Sequence, residues 1–172
     1  MLGLLALIAV ATTSLVAAAP AAAAEPYFEI RARRSNKCLD VAYMSTAHGA
    51  NVLQAYCRGT YNQQWTRASK GVDANGYLPY ELRPRHAPTM CLDVAHMSRL
   101  HGADVVQASC WGGANQQWRL VGTDSGFYKL VSRHSGLCLD VANGSIAHGA
   151  DVVQARCWSP GFNQQWGWYG PF

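Results

Sequence analysis

The sequence predicts an all-β protein, and three observations carry that expectation. One segment is written three times, from Cys38 to Trp65, Cys91 to Trp118 and Cys138 to Trp166, with first cysteines 53 and then 47 residues apart. A period near 50 marks a supersecondary unit that cannot bury its apolar face alone. Each copy carries short runs with apolar residues at every second position, the mark of a half-buried strand. Beyond the apolar N-terminus no ten-residue stretch has helical periodicity, and Gly and Pro turns at this spacing fit a sandwich or barrel.

Met1 to Ala19 is an uncharged apolar run, followed by Pro20 and an A-x-A pattern at Ala22 and Ala24. This reads as a secretory signal peptide over residues 1–24. The competing reading is a membrane anchor, but a spanning helix needs ~20 apolar residues and this run is short, so no stable membrane insertion is expected. A mature domain at 25–172 is expected outside the cell, with repeats at about 25–72, 73–123 and 124–172. Its net charge of +4 is too weak for the concentrated patch that nucleic acid calls for. The densest basic run, Arg31, Arg33, Arg34 and Lys37, occurs only in the first repeat and reads as a solvated strand edge and loop.

Within each repeat the order of elements is legible. Phe28, Ile30 and Ala32, with Tyr80, Leu82 and Pro84, then Tyr128, Leu130 and Ser132, outline the first strand. A turn leads to Cys-Leu-Asp-Val-Ala as the second. His-Gly turns at His48-Gly49, His101-Gly102 and His148-Gly149 precede a third strand through Val52, Val105 and Val152. A Gly- and Asn-containing loop then leads to Gln-Gln-Trp and a fourth. The six cysteines allow fifteen pairings, but the repeat selects Cys38–Cys57, Cys91–Cys110 and Cys138–Cys157. Each link would close a loop of about 20 residues, worth roughly 3 kcal/mol in the chain-entropy picture. No C-x2-C spacing supports zinc.

The C-L-D-V run with a Q-x-W element near the end of each repeat resembles the ricin B-type lectins, and is similar to the bacterial family 13 carbohydrate-binding modules. Gln63-Gln64-Trp65, Gln116-Gln117-Trp118 and Gln164-Gln165-Trp166 keep register in all three copies. The resemblance implies a β-trefoil with pseudo-threefold symmetry, a six-strand barrel capped by three hairpins. Trp168 and Tyr169 would form the last strand and pair with Tyr27 to Ile30.

A sugar site needs groups that satisfy neighbouring hydroxyls, each both donor and acceptor, and an aromatic surface for the C–H face. The repeats supply the polar half as Asp40, Asn62 and Gln63, then Asp93, Asn115 and Gln116, then Asp140, Asn163 and Gln164. The resemblance implies that the Asp and Asn bond the sugar while the Gln braces the Asp. The three Trp of Q-x-W read as core. Where the family usually places its stacking aromatic, two residues before the second cysteine, this chain has Ala55, Ala108 and Ala155. Tyr56, one place later, is expected on the opposite face of its strand. Candidate replacements are Tyr43, His96, Trp111, Trp158 and the recurring His48, His101 and His148. Because only the second and third copies carry the Trp, they are expected to bind best.

The recurring histidines invite a metal reading, but on a threefold fold their loops lie apart and would not share one ion. His86 and His134 have no counterpart in the first repeat and carry no signal of their own. Glycoside hydrolysis needs two carboxylates ~5–9.5 Å apart, and each repeat offers one matched Asp. The expectation is therefore a non-enzymatic, monomeric binder of galactose-, xylose- or arabinose-containing glycans, without metal or cofactor. A rival is a trefoil that binds protein, as a protease inhibitor or toxin-targeting subunit, with silent sugar sites; the missing aromatics favour it. A third reading is a module whose catalytic partner lies on another chain.

Overall fold

The computed structural model describes residues 25–124 and 126–172; the expected signal peptide lies outside them. Among the described residues are twelve strands, four per repeat. They are β1 (Phe28–Ala32), β2 (Cys38–Val41), β3 (Ala50–Ala55) and β4 (Gln64–Ser69) in the first repeat. The second holds β5 (Pro79–Pro84), β6 (Met90–Val94), β7 (Val105–Ser109) and β8 (Trp118–Gly122), and the third β9 (Tyr128–Ser132), β10 (Cys138–Val141), β11 (Ala150–Ala155) and β12 (Trp166–Tyr169).

Antiparallel pairs run β1–β4–β5–β8–β9–β12 and return to β1, closing a six-strand barrel with no free edge. The closing register places Ile30 opposite Trp168 and Glu29 opposite Tyr169, as the resemblance implies. The hairpins β2–β3, β6–β7 and β10–β11 cap one end. The fold is a β-trefoil.

The core repeats as the sequence does. Equivalent positions from the three repeats meet in layers: Ile30, Leu82 and Leu130, then Leu39, Leu92 and Leu139, then Trp65, Trp118 and Trp166, all fully buried. Each indole donates to a main-chain carbonyl, Leu39, Leu92 or Leu139, at 3.0–3.1 Å, so burying the ring leaves no polar atom unpaired. The disulfides pair within repeats as expected, with Cα atoms 5.2 Å apart.

Two features were not legible beforehand. The second strand stops at Val, because Ala42, Ala95 and Ala142 open single 3-10 turns instead of extending it. The repeats are also locked in a ring. Gln107 of the second repeat, wholly buried, donates to the carbonyls of Ser45 and Ala47 in the first. Gln154 does the same to Ser98 and Leu100, and Gln54 to Ser145 and Ala147.

Candidate functional site

Alternation along the second strand of each repeat decides where the acid points. Leu39 and Val41 face the core, so Asp40 between them faces the opposite side of the strand. The same holds for Asp93 and Asp140. A 3-10 turn just before the fourth strand then brings Asn and Gln back against the carboxylate.

The Gln is held on every side. Gln63 Nε2 donates to Asp40 Oδ2 at 2.7 Å and to the Tyr56 carbonyl, while its Oε1 accepts from the Arg58 amide. Gln116 and Gln164 repeat this pattern on Asp93 and Asp140 at 2.8 and 2.7 Å. Asn115 and Asn163 also donate to their carboxylates, both at 2.9 Å, whereas Asn62 donates to the Val41 carbonyl. All nine predicted residues thus gather into three clusters. The amide oxygens of the three Asn are buried without a donor. Burial pushes each Asp carboxyl above its ordinary value; the amide donors pull it back in part.

Beside each Asp the chain enters a left-handed turn. Tyr43, His96 and Asn143 have φ of 58°, 54° and 56°, and the residues after them also have positive φ. Asn143-Gly144 suits two successive positive φ values; Tyr43-Met44 and His96-Met97 hold them against a Cβ clash of roughly 1–2 kcal/mol per residue. The turn lifts Tyr43 into solvent, 99 % exposed.

Two of the clusters open into hollows. The first hollow, about 390 Å³, is lined by Asp40, Tyr43, Ala55, Tyr56, Arg58 and His148, among others. The third, about 570 Å³, is lined by Arg34, His101, Asp140, Asn143, Ala155, Arg156 and Trp158. Alanine at 55 and 155 leaves the floor low. In the second repeat the Trp111 ring lies over Gly113, where any side chain would overlap it and Asn115.

The expectation for Tyr56 is corrected. It falls one residue past the end of β3, so strand alternation no longer sets its direction. Its ring lines the first hollow, stacked on His148 with centroids 5.0 Å apart and an 11° interplanar angle.

The recurring histidines sit at three different clusters, each supplied by a neighbouring repeat. His48 Nδ1 accepts from the Ser109 amide, His101 from Arg156 and His148 from Tyr56, all at 3.2 Å. Each also lies close enough to a different Asp (Asp93, Asp140 and Asp40, respectively) to draw its carboxyl down. The following repeat contributes too: His86 Nε2 meets the Ser45 carbonyl, His134 that of Met97, and Arg34 stands by Gly144. These residues were invisible in the sequence, because the first-repeat counterpart of the two histidines is an arginine. His96 and Trp111 are exposed at the second cluster. The side-chain groups with metal-like spacing, Glu29 with Cys38 and Cys57 and Glu81 with Cys91 and Cys110, consist of a carboxylate beside a disulfide. Bonded sulfurs carry no thiolate to ligate.

Comparison with known proteins places this arrangement in a class. A family model described as ricin-type beta-trefoil lectin domain matches residues 26–166. The chain belongs to that family. No curated protein matches it. Among solved structures it is similar to a designed threefold-symmetric protein, ThreeFoil, at 48 % identity and TM-score 0.77, covering 84 % of this chain and 98 % of that one. It is similar at 29 % identity and TM-score 0.75 to an exo-beta-1,3-galactanase from Clostridium thermocellum, with 87 % of this chain matching only 30 % of that enzyme. The Rhizoctonia solani agglutinin shares the fold at 18 % identity and TM-score 0.72, over 88 % and 99 % of the two chains.

Proposed function

We propose that the chain is a secreted, monomeric lectin that binds glycans through up to three shallow sites and performs no catalysis. The observation that carries this reading is the buried carboxylate at the base of an open hollow, with an amide braced beside it. A set that merely tied loops together would gain nothing from a carboxylate lifted above its ordinary value or from three amide oxygens left without donors, an arrangement costing ~1–3 kcal/mol per orphaned group. Such a set is suited to a ligand that brings its own hydroxyls. In the first hollow, Asp40 would accept from one sugar hydroxyl, with the Asn62 amide beside it to meet a neighbouring one. Tyr43, which stands free in solvent, would cover the C–H face there; Trp158 would do so in the third.

Galactose-, xylose- or arabinose-containing polysaccharides are the ligand class. One carboxylate lines each hollow, which supports binding over glycoside cleavage, since cleavage uses two. Single sites are expected to be weak; linkage on one chain raises avidity by effective concentration, up to 10²–10⁴.

A glycan array followed by calorimetry tests the proposal. Binding of galactose-type glycans that drops on Asp40→Ala or Asp140→Ala supports it. A blank array with a bound protease would favour the inhibitor reading instead.

A further inference from the structure

The three clusters share a floor and differ at two equivalent rim positions. The position contributed by the following repeat is His86 at the first cluster, His134 at the second and Arg34 at the third. The position just before the second cysteine is Tyr56, Ser109 and Arg156 in the same order. Only the third hollow has arginine at both. Arg34 and Arg156 are exposed, line the hollow together and have no side-chain hydrogen bond or ion pair among the described residues. Other arginines are engaged: Arg31 with Glu29 at 2.6 Å, Arg33 with Asp124 at 2.6 Å and Arg83 with Glu81 at 2.6 Å. The first hollow has one guanidinium, Arg58, where the third has Trp158.

Two unpartnered guanidinium groups facing one space bring an electrostatic cost that an anion would remove. The sole acidic residue lining the hollow, Asp140, pairs with neither guanidinium; each of its oxygens accepts one amide bond, from Gln164 and Asn163, and keeps a lone pair for a ligand hydroxyl. A planar guanidinium fits a carboxylate in bidentate fashion.

Resting on the lectin reading, we infer that the third hollow takes a uronic acid residue. Asp140 and Asn163 would hold ring hydroxyls, Trp158 the C–H face, and Arg34 with Arg156 the sugar carboxylate. The first and second sites would take neutral sugars. The chain would then grip a polysaccharide in which neutral and acidic units alternate or branch.

The test uses the full domain carrying Asp40→Ala and Asp93→Ala, which leaves the third hollow alone. Calorimetry compares digalacturonate with its methyl ester, which keeps every hydroxyl and removes the charge. About tenfold tighter binding of the free acid at low salt is expected, consistent with hydrogen bonds to charged groups. The ratio should fall toward one in Arg34→Gln/Arg156→Gln and as salt is raised. Equal affinity for acid and ester, a ratio unmoved by the arginine substitutions, or no binding by the isolated third site while the intact chain binds would each overturn the inference and leave the lectin reading standing. Failure of the intact chain to bind any glycan would remove both.

Discussion

The first and third hollows are the same construction finished in two ways. Both have an outward Asp on the second strand, a bracing Gln, an alanine floor and a histidine borrowed from the repeat before. The first ends in aromatics, with Tyr56 sandwiched between His148 and the Lys37 ammonium, 4.9 Å from the ring centre. The third ends in two free guanidinium groups and an indole. Residues that the barrel needs are repeated faithfully, and residues that rim the hollows differ. Repetition here keeps the frame and lets the rims vary.

The largest effect should appear where the hollows do not differ. Trp65→Ala, Trp118→Ala and Trp166→Ala each empty a core site and orphan a carbonyl, and should each cost about 3–5 kcal/mol. Thermal or urea unfolding checks this, and unequal losses would break the equivalence of the three frames. Next, Asp140→Ala should silence the third hollow alone and Asp40→Ala the first, each a loss of tenfold or more if the carboxylate bonds a hydroxyl at 1.5–3 kcal/mol. Titrated stoichiometry would fall by one site each time.

A sharper probe is His148→Ala. It lies in the third repeat, yet its Nδ1 and ring face the first hollow. Affinity should fall severalfold at the first hollow and hold at the third, readable by site-resolved NMR titration. Acid should divide binding from folding. Because burial raises the three Asp values, their carboxylates begin to protonate above the ordinary aspartate range, and sugar affinity should decline there, with Asp140→Asn abolishing the third site's share of that decline. The stability term has the other sign. A raised carboxyl is favoured when protonated, so its contribution is fully present below the unfolded value and is lost as pH rises through the folded one. These three groups therefore do not cause acid unfolding.

The smallest predicted contrast is among the buried glutamines. Gln54 and Gln154 accept from Ser35 and Ser135 at 2.6 and 2.7 Å, but Ala87, which follows His86 as Ser35 follows Arg34, has no hydroxyl, and Gln107 Oε1 is left without a donor. Replacement by Ala should cost less at 107 than at 54 or 154, by about 1 kcal/mol, measurable as a difference in denaturation midpoint.

Much of this was legible because repetition supplies internal controls. Cys38 with Cys57 is one pairing of fifteen until Cys91 and Cys138 repeat the spacing. Asp40, Asn62 and Gln63 are ordinary polar residues until they recur together. What escaped is what joins repeats. No periodicity within a copy says that His148 belongs to the hollow of Asp40, or that Arg34 stands in the place of His86 and His134. Tyr56 was misjudged by extending strand alternation one residue beyond the strand. The paired left-handed residues at Tyr43-Met44 were hidden as well, since neither side chain advertises that conformation.

One further consequence follows from the buried glutamines that reach from each repeat into the loop of its neighbour. Because the chain of grips runs first to third, third to second and second to first, it has no beginning. The Phe172 amide bonds the Tyr27 carbonyl at 2.9 Å, so the two ends of the described domain already touch. A circularly permuted chain, opened in a surface turn away from the gripped loops and joined across that contact, would keep every clasp, and no lobe could loosen without slackening both of the others.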